Sequence, residues 1–255
     1  MRKPVEIVIV IVILVVLGLM IAPACLKIRE AAAKAQCFNN CRLMGMSLRD
    51  YQDHLDGFPP AAMPNSDLSA EKRLSWIVIL IPYVEANNIY ARMDKAKSWD
   101  AEENRFATEM RIAFLRCPSY PERPTGSPLS PTHYVGISGI GDNAIAVSRE
   151  DPRAGIFGYD RAVKKDELKR GASEMAVVVE TSQASGAWTA AGFPTTRGLV
   201  PGGSASFGRR SQFGGHHPHG ANVVFADGSV RFIEQSIDPA AWEAMATLSG
   251  KGNQE

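Results

Sequence analysis

Hydrophobic positions near the start of the chain predict one long helix with two different halves. From Ile7 to Ala22 there is no charged residue. At about 1.5 Å of rise per residue, this run and the two residues after it cover most of a roughly 30 Å hydrocarbon core. The alternating Ile and Val residues would also suit a buried strand, but an apolar run of this length favours a helix in lipid. We therefore predict an N-terminal helical region at residues 1–56, with a membrane span at about residues 5–24.

The second half of this helix is predicted to be amphipathic. Apolar residues recur at helical spacing from Ile28 to Leu55, and most charged residues lie between them. We expect this stripe to face a globular domain. Pro23 lacks the amide hydrogen that its position would donate, so we expect a bend there. Gly57 to Pro60 should end the helix.

Two residues at the ends of the apolar half resemble a known arrangement. Glu6 lies at the lipid boundary, where an unpaired carboxylate is costly, and Pro23 follows it by seventeen residues. This spacing is similar to the N-terminus of type IV pilins and pseudopilins. The resemblance implies that Glu6 and Pro23 act in assembly with other pilin-like subunits. The simpler alternative is that Glu6 reaches into the lipid headgroups.

Four blocks of sequence resemble, in order, a prepilin-like family that is abundant in planctomycetes. Its domain is catalogued as DUF1559, of unknown function. The matching blocks are residues 35–60, residues 75–90, Cys117-Pro118-Ser119, and His217 followed after nine residues by Asp227-Gly228. The last block is that family's H-X9-DG motif. The resemblance implies a pilin-like helix joined to a globular domain.

The chain departs from the pilin pattern at its start. Met1 stands where a pilin precursor has the Gly before the cleaved bond, and Arg2-Lys3-Pro4 replace the residues that follow it.

A second alternative concerns the end of the span. Ala22-Pro23-Ala24 has the small-x-small form of a signal-peptide site, and Cys25 follows as in a lipoprotein. Pro23 next to the cleaved bond argues against that processing.

Basic residues suggest the orientation of the span. Met1-Arg2-Lys3 predicts a cytoplasmic N-terminus, although Lys27, Arg29 and Lys34 follow the span and weaken this argument. We expect a single-pass protein of the cytoplasmic (inner) membrane, in contact with its lipid, with the C-terminal domain outside the cytoplasm. The formal net charge of +1 gives no reason to expect nucleic acid as a partner.

Residues 57–255 are predicted to form one extracytoplasmic α+β domain. Its length is enough for a core of its own. We predict a helical part at 57–117 with helices over 68–94 and 102–114, a Pro-rich loop at 118–131, and a β-rich part at 132–255. The predicted strands cover residues 134–138, 155–159, 175–181 and 222–233. The third should be the central strand of an antiparallel sheet.

The last predicted strand region contains a hairpin. Asp227-Gly228 has the composition of a two-residue type I′ turn, which would place Phe225 opposite Val230 on a buried face. Asp238 followed by Pro239 then has the chemistry of an N-cap and a first helical residue, so a closing helix is expected. On this interpretation His217, Asp227 and Gly228 form a structural motif.

A few residues are candidates for chemistry. His216, His217 and His219 could join Asp227 as metal ligands, but the simpler interpretation gives them structural roles, and we predict no metal and no cofactor. The motifs of serine hydrolases, zinc proteases and phosphate-binding loops are missing. We therefore predict no catalytic residues and no enzymatic activity.

The cysteines add one structural candidate. The DUF1559 resemblance includes both Cys37 and Cys117, which suggests a disulfide between them that would tie the long helix to the domain in an oxidising compartment. Reduced, buried thiols are the alternative.

These features together predict a membrane-anchored, pilin-like envelope protein with a structural or assembly role. The competing hypothesis is a tethered domain that binds a ligand or metal, or hydrolyses a substrate, through His217 and Asp227.

Overall fold

The computed structural model describes residues 2–84, 87–121, 126–201, 207–208 and 211–250. Its longest element is helix α1, Arg2–Leu55. The helix continues through Pro23 and ends where Asp56 adopts a left-handed φ of 51°. The predicted N-terminal helix is therefore confirmed, with its end at the predicted position.

The two helices predicted in the next part of the chain are wrong. This region contains short helical pieces separated by turns: 3-10 turns at Ala70–Lys72, Ile81–Tyr83, Glu102–Asn104 and Ala113–Leu115, and helices α2 Trp76–Leu80, α3 Asn87–Arg92 and α4 Arg105–Glu109. Pro82 lies in the 3-10 turn that directly follows α2, where its missing amide hydrogen prevents a regular helix from continuing.

The β-rich part forms one five-stranded sheet with the order β3-β1-β2-β4-β5. The strands are β1 Tyr134–Ile140, β2 Ala176–Glu180, β3 Thr196–Leu199, β4 Gly220–Phe225 and β5 Val230–Glu234. Strand β2 is central, as predicted. All pairs are antiparallel except β1 with β3, which is parallel. Strand β3 was not predicted, and residues 155–159, which were, form no strand.

The β4–β5 hairpin has a different register from the predicted one. Val224, not Phe225, lies opposite Val230. The amide of Gly228 donates to the carbonyl of Phe225, and Gly228 has a φ of 81° whereas Asp227 does not have a positive φ. The connection is thus a turn followed by a left-handed glycine rather than a type I′ turn. The extra residue in the connection shifts the register by one, so Val230 shares a face of the sheet with Val224 rather than with Phe225.

The sheet separates two layers of core. Met44 and Leu48 of α1 belong to one buried cluster together with Val224 of β4. The neighbouring Val223 belongs to a second cluster with Trp242. Trp242 lies on helix α5, Pro239–Ala246, whose first turn is capped by the Asp238 side chain accepting from the amide of Ala241. The fold is therefore α+β, with a long N-terminal helix packed on a domain that contains a mainly antiparallel sheet, as predicted.

Candidate functional site

The first half of helix α1 is exposed and apolar. Every residue from Glu6 to Arg29 is exposed, and the large apolar side chains from Ile7 to Ile28 keep 47–71% of their surface accessible. Within the described residues, this is the one helix that is long and apolar enough to cross a membrane by its length and composition. A signal sequence near the N-terminus has the same properties. Glu6 and Pro23 both lie on this exposed half.

The second half of α1 is docked on the domain, beginning at Glu30. The Glu30 carboxylate accepts from the hydroxyl of Ser119 at 2.9 Å. The Lys34 ammonium lies 3.4 Å from the centre of the Phe232 ring of β5. Farther along, Cys37 is fully buried. The amphipathic pattern therefore predicted correctly that this half faces the domain.

Four buried side chains from four separate segments meet beneath this half of the helix. They are Cys37 of α1, Cys117 after the 3-10 turn Ala113–Leu115, Glu180 at the end of β2 and His217 before β4. One ligand atom from each lies within 4.8 Å of every other. Their exposed fractions are between 0 and 6%. We call these residues the Cys-Glu-His cluster.

Hydrogen bonds orient the His217 ring within the cluster. Its Nδ1 lies 2.7 Å from Oε1 of Glu30. Its Nε2, on the opposite side of the ring from Nδ1, lies 3.5 Å from Sγ of Cys117 and 3.5 Å from Oε1 of Glu180. The Glu30 contact therefore fixes which nitrogen faces the cluster.

Strand pairing and backbone hydrogen bonds position the other members of the cluster. Oε2 of Glu180 accepts from the backbone amide of Asn222 at 2.7 Å, and Oε1 is 3.3 Å from the Asn222 side-chain nitrogen. The backbone amide of Cys117 donates to Nδ1 of His133 at 2.8 Å. The Glu180 carboxylate and the backbone of Cys117 are thus held in place by neighbouring groups.

The buried contacts shift the pKa values of the cluster in opposite directions. The hydrogen bond with Cys37 lowers the pKa of Cys117 to about 5, although burial opposes this. The same hydrogen bond, together with burial, raises the pKa of Cys37. Burial alone would lower the pKa of His217, but its hydrogen bonds to Cys117 and Glu30 raise it to about 9. Burial raises the pKa of Glu180. The contact between Cys117 and His217 therefore favours the thiolate of Cys117 and the protonated ring of His217 over their neutral forms.

The structure places the other predicted candidates apart from this cluster. His216 makes an edge contact with the ring of Tyr120 at 4.7 Å between ring centres. His219 is exposed, with a φ of 71°. Asp227 lies in the hairpin connection, where its carboxylate accepts from the amide of Ser229 at 2.9 Å. Of the four residues considered as metal ligands, only His217 belongs to the group that the structure brings together.

Sequence reasoning missed the two carboxylates. Glu180 directly follows the apolar run of β2, and Glu30 lies seven residues, or about two helical turns, before Cys37 on α1. Both positions could have been noticed: a charge at the end of a central strand and an acid in line with a buried cysteine.

The Cys37 and Cys117 sulfurs are close together but present as free thiols, so the disulfide stays a prediction.

Comparison with known proteins identifies one family. The family described as "Protein of unknown function (DUF1559)" matches residues 27–201 and 190–240. No curated protein and no solved structure matches this chain. The matched residues include the docked half of α1, the whole sheet and all four members of the Cys-Glu-His cluster.

Proposed function

This chain belongs to the DUF1559 family of proteins of unknown function, and from that premise we propose that it is a membrane-anchored, pilin-like protein of the cell envelope. Helix α1 anchors it in the cytoplasmic membrane. The domain lies outside the cytoplasm, where it has a structural or assembly role and no catalytic one.

The observation that carries this proposal is the contrast between the two halves of α1. An uninterrupted apolar surface on more than four turns of helix is far larger than the patches that soluble monomers expose. Burial in lipid removes this surface from water, and the hydrogen bonds within the helix satisfy the backbone groups of the span, for which lipid offers no partner. The docked half meanwhile holds the domain at the end of the span.

Membrane retention tests the anchor directly. We expect the full-length chain to stay with membranes washed in alkaline carbonate. Arginines at Val12 and Val16 should prevent retention, since a charged residue at the centre of a span costs about 2.5–3.5 kcal/mol each. The matched control replaces the same two residues by Leu, which should leave retention unchanged. A soluble wild-type chain, or equal retention of the two variants, would contradict the anchor.

The exposed Cys25 distinguishes a helical anchor from a lipoprotein and reports the orientation. It is the exposed cysteine of the described chain, whereas Cys37, Cys41 and Cys117 are buried. A membrane-impermeant maleimide added to spheroplasts should label wild type but not Cys25→Ser. Labelling only after lysis would contradict the orientation. Loss of Cys25→Ser from the membrane would instead show that a lipid on Cys25 is the anchor.

Glu6 tests the assembly role. A carboxylate at the lipid boundary gains most when a neighbouring subunit supplies a cation. We expect Glu6→Ala to lower the yield of cross-linked oligomers in membranes and to leave the melting temperature of the domain unchanged. The control is Asp53→Ala, which removes an exposed acid from the docked half of the same helix. Equal oligomer yields for wild type and Glu6→Ala would contradict the role.

The absence of catalysis is supported by the burial of the Cys-Glu-His cluster. A thiolate beside an imidazole is a nucleophile and base pair in many enzymes. Here, however, Cys117 is 6% exposed and His217 1% exposed, and Glu30 and Ser119 of the helix contact lie beside them. A substrate would need α1 to move away. Slow modification of Cys117 in the folded protein by a small thiol reagent is therefore expected, and rapid modification would favour the tethered hydrolytic domain.

A further inference from the structure

We propose that the Cys-Glu-His cluster is a zinc site, in which one divalent zinc ion is bound by the sulfurs of Cys37 and Cys117, Nε2 of His217 and Oε1 of Glu180. Thiolate, imidazole and carboxylate are the three kinds of side chain that bind zinc in proteins, and structural zinc sites are almost always four-coordinate and tetrahedral. The cluster supplies four ligand atoms of these kinds.

The distances fit a tetrahedral ion. With about 2.3 Å from zinc to sulfur and about 2.0–2.2 Å to nitrogen or oxygen, the sulfur–nitrogen edge of the tetrahedron is about 3.6 Å and the nitrogen–oxygen edge about 3.4 Å. The corresponding distances in the structure are 3.5 Å between Cys117 Sγ and His217 Nε2 and 3.5 Å between His217 Nε2 and Glu180 Oε1. All remaining pairs of ligand atoms lie within 4.8 Å. Small side-chain adjustments therefore suffice for binding.

The surrounding contacts are those that a metal site needs. A histidine that binds zinc through one nitrogen usually donates the other to a carboxylate, which fixes the ring. His217 does this with Glu30 at 2.7 Å. Glu180 has Oε2 held by the amide of Asn222 at 2.7 Å, and Oε1, which accepts a longer contact of 3.3 Å from the Asn222 side chain, keeps a lone pair for the ion. Both ligands are thus held in place by their neighbours.

A divalent cation would also suit the charge of the cluster. A carboxylate that is 1% exposed is costly to bury without a partner of opposite charge. Zinc would offset two of the three negative charges carried by the Glu180 carboxylate and the two thiolates. A disulfide between Cys37 and Cys117 would involve the two sulfurs alone. It would not explain why Glu180 and His217 approach the same point.

The position of the ion predicts its role. Its ligands come from α1, from the segment before the Pro-rich loop, from the central strand and from the segment before β4, so one ion would join the long helix to the sheet. The ligands are buried and no position is left open for a substrate, as in structural zinc sites. Binding to the native state alone would stabilise the docked helix by mass action.

The test uses the full-length chain, purified in detergent without chelator or added metal. We expect one zinc per chain in wild type. The ion should be lost in Cys37→Ser and in His217→Gln. It should be kept in Cys41→Ser, the matched control, because Cys41 is a buried cysteine one turn further along the same helix but outside the cluster.

A second measurement covers the case in which the ligand variants do not fold. Wild-type protein stripped of metal should take up one Co²⁺ with the near-ultraviolet charge-transfer absorption of cobalt–thiolate bonds and the visible bands of a tetrahedral ion. Its melting temperature should fall on chelation and recover with Zn²⁺. Three results would overturn the proposal: wild type that binds neither ion in stoichiometric amount, zinc that is retained by both ligand variants, or a Cys37–Cys117 disulfide in protein alkylated at the moment of lysis.

Discussion

Gly45 of helix α1 and Gly228 of the β4–β5 connection touch through their backbones. A Cβ atom on Gly45 would overlap the carbonyl oxygen of Gly228, and a Cβ on Gly228 would lie 3.0 Å from the carbonyl oxygen of Gly45. The absence of both side chains is what lets the helix lie directly on the hairpin. This contact explains why a glycine suits this position in the middle of a helix, where it is otherwise unfavourable by about 1 kcal/mol.

We predict that Gly45→Ala lowers the free energy of unfolding by about 1–3 kcal/mol, because the overpacking outweighs the gain in helix propensity. Urea unfolding of the full-length chain in detergent, followed by tryptophan fluorescence, measures this. The control is Gly18→Ala in the same helix, where the added Cβ meets nothing within 4 Å. Equal stability of the two variants would show that the helix is not held on the hairpin at Gly45.

Gly228 should be sensitive for a second reason. Its φ of 81° is strained for any residue with a side chain, so we expect Gly228→Ala to cost about 1–3 kcal/mol. Gly126 also has a positive φ, of 69°, with nothing within 4 Å of its Cβ position, so Gly126→Ala should cost only the backbone strain. A loss for Gly228→Ala no larger than that for Gly126→Ala would show that the contact with α1 adds nothing at Gly228. Asp227→Ala removes one exposed hydrogen bond and should cost about 0.5–1 kcal/mol.

Arg161 is expected to hold the loops beside β1 in their folded conformation. Its guanidinium is buried and donates to the backbone carbonyls of Ser138, Ala144, Val147 and Phe157. Arg161→Lys keeps the charge but loses the planar fork, so we predict a loss of about 2–4 kcal/mol in unfolding free energy. The matched change Arg153→Lys affects a partly exposed pair with Asp151 and should cost less than about 1 kcal/mol. Similar losses of unfolding free energy in the two variants would contradict the idea that the planar guanidinium of Arg161 holds these loops.

The elements that could be predicted from sequence are those with a strong local pattern. Helix α1, the apolar strand β2 and the Asp238-capped helix α5 each carry their own signal of length, hydrophobicity or capping. The hairpin register could not be predicted, because a type I′ turn and a turn with an added left-handed glycine both suit Asp227-Gly228. Val223, Val224 and Phe225 are all apolar, so alternation could not decide between the two faces.

Two other errors came from buried arginines. Strand β3 is four residues long and contains Arg197, which is 2% exposed and donates to the hydroxyl of Thr181 and the carbonyl of Gln183. A charged residue in so short a segment does not resemble a strand. Residues 155–159 were predicted as a strand, and the amides of Gly155 and Phe157 do donate to carbonyls of β1. The carbonyl of Phe157, however, accepts from Arg161, and no regular strand forms. Such pairings depend on tertiary contacts that no local pattern reveals.

The candidate site shows the same limit. His217, Cys37 and Cys117 could be singled out by residue type and by the family resemblance. Their meeting with Glu180 could not, because the four residues lie up to 180 positions apart, from 37 to 217, and their proximity is a product of the whole fold. The metal ligands that were considered from sequence, and set aside in favour of structural roles, were mostly neighbours of His217 along the chain, whereas the structure brings together neighbours in space.

The last prediction concerns how the docked half of α1 is held beside the cluster. Asn40 is buried, and its side-chain nitrogen donates to the carbonyl of Arg116 at 3.0 Å and to the hydroxyl of Tyr134 at 3.1 Å. Asn40→Ala leaves these buried groups without their donor, so we predict a loss of about 1–3 kcal/mol in unfolding free energy. Asn40→Asp keeps the volume but supplies no donor, and it should be at least as harmful. Asn39→Ala is the control, because Asn39 is the exposed neighbour on the same helix. If all three variants unfold at the wild-type urea concentration, hydrogen bonding by Asn40 does not hold α1 on the domain.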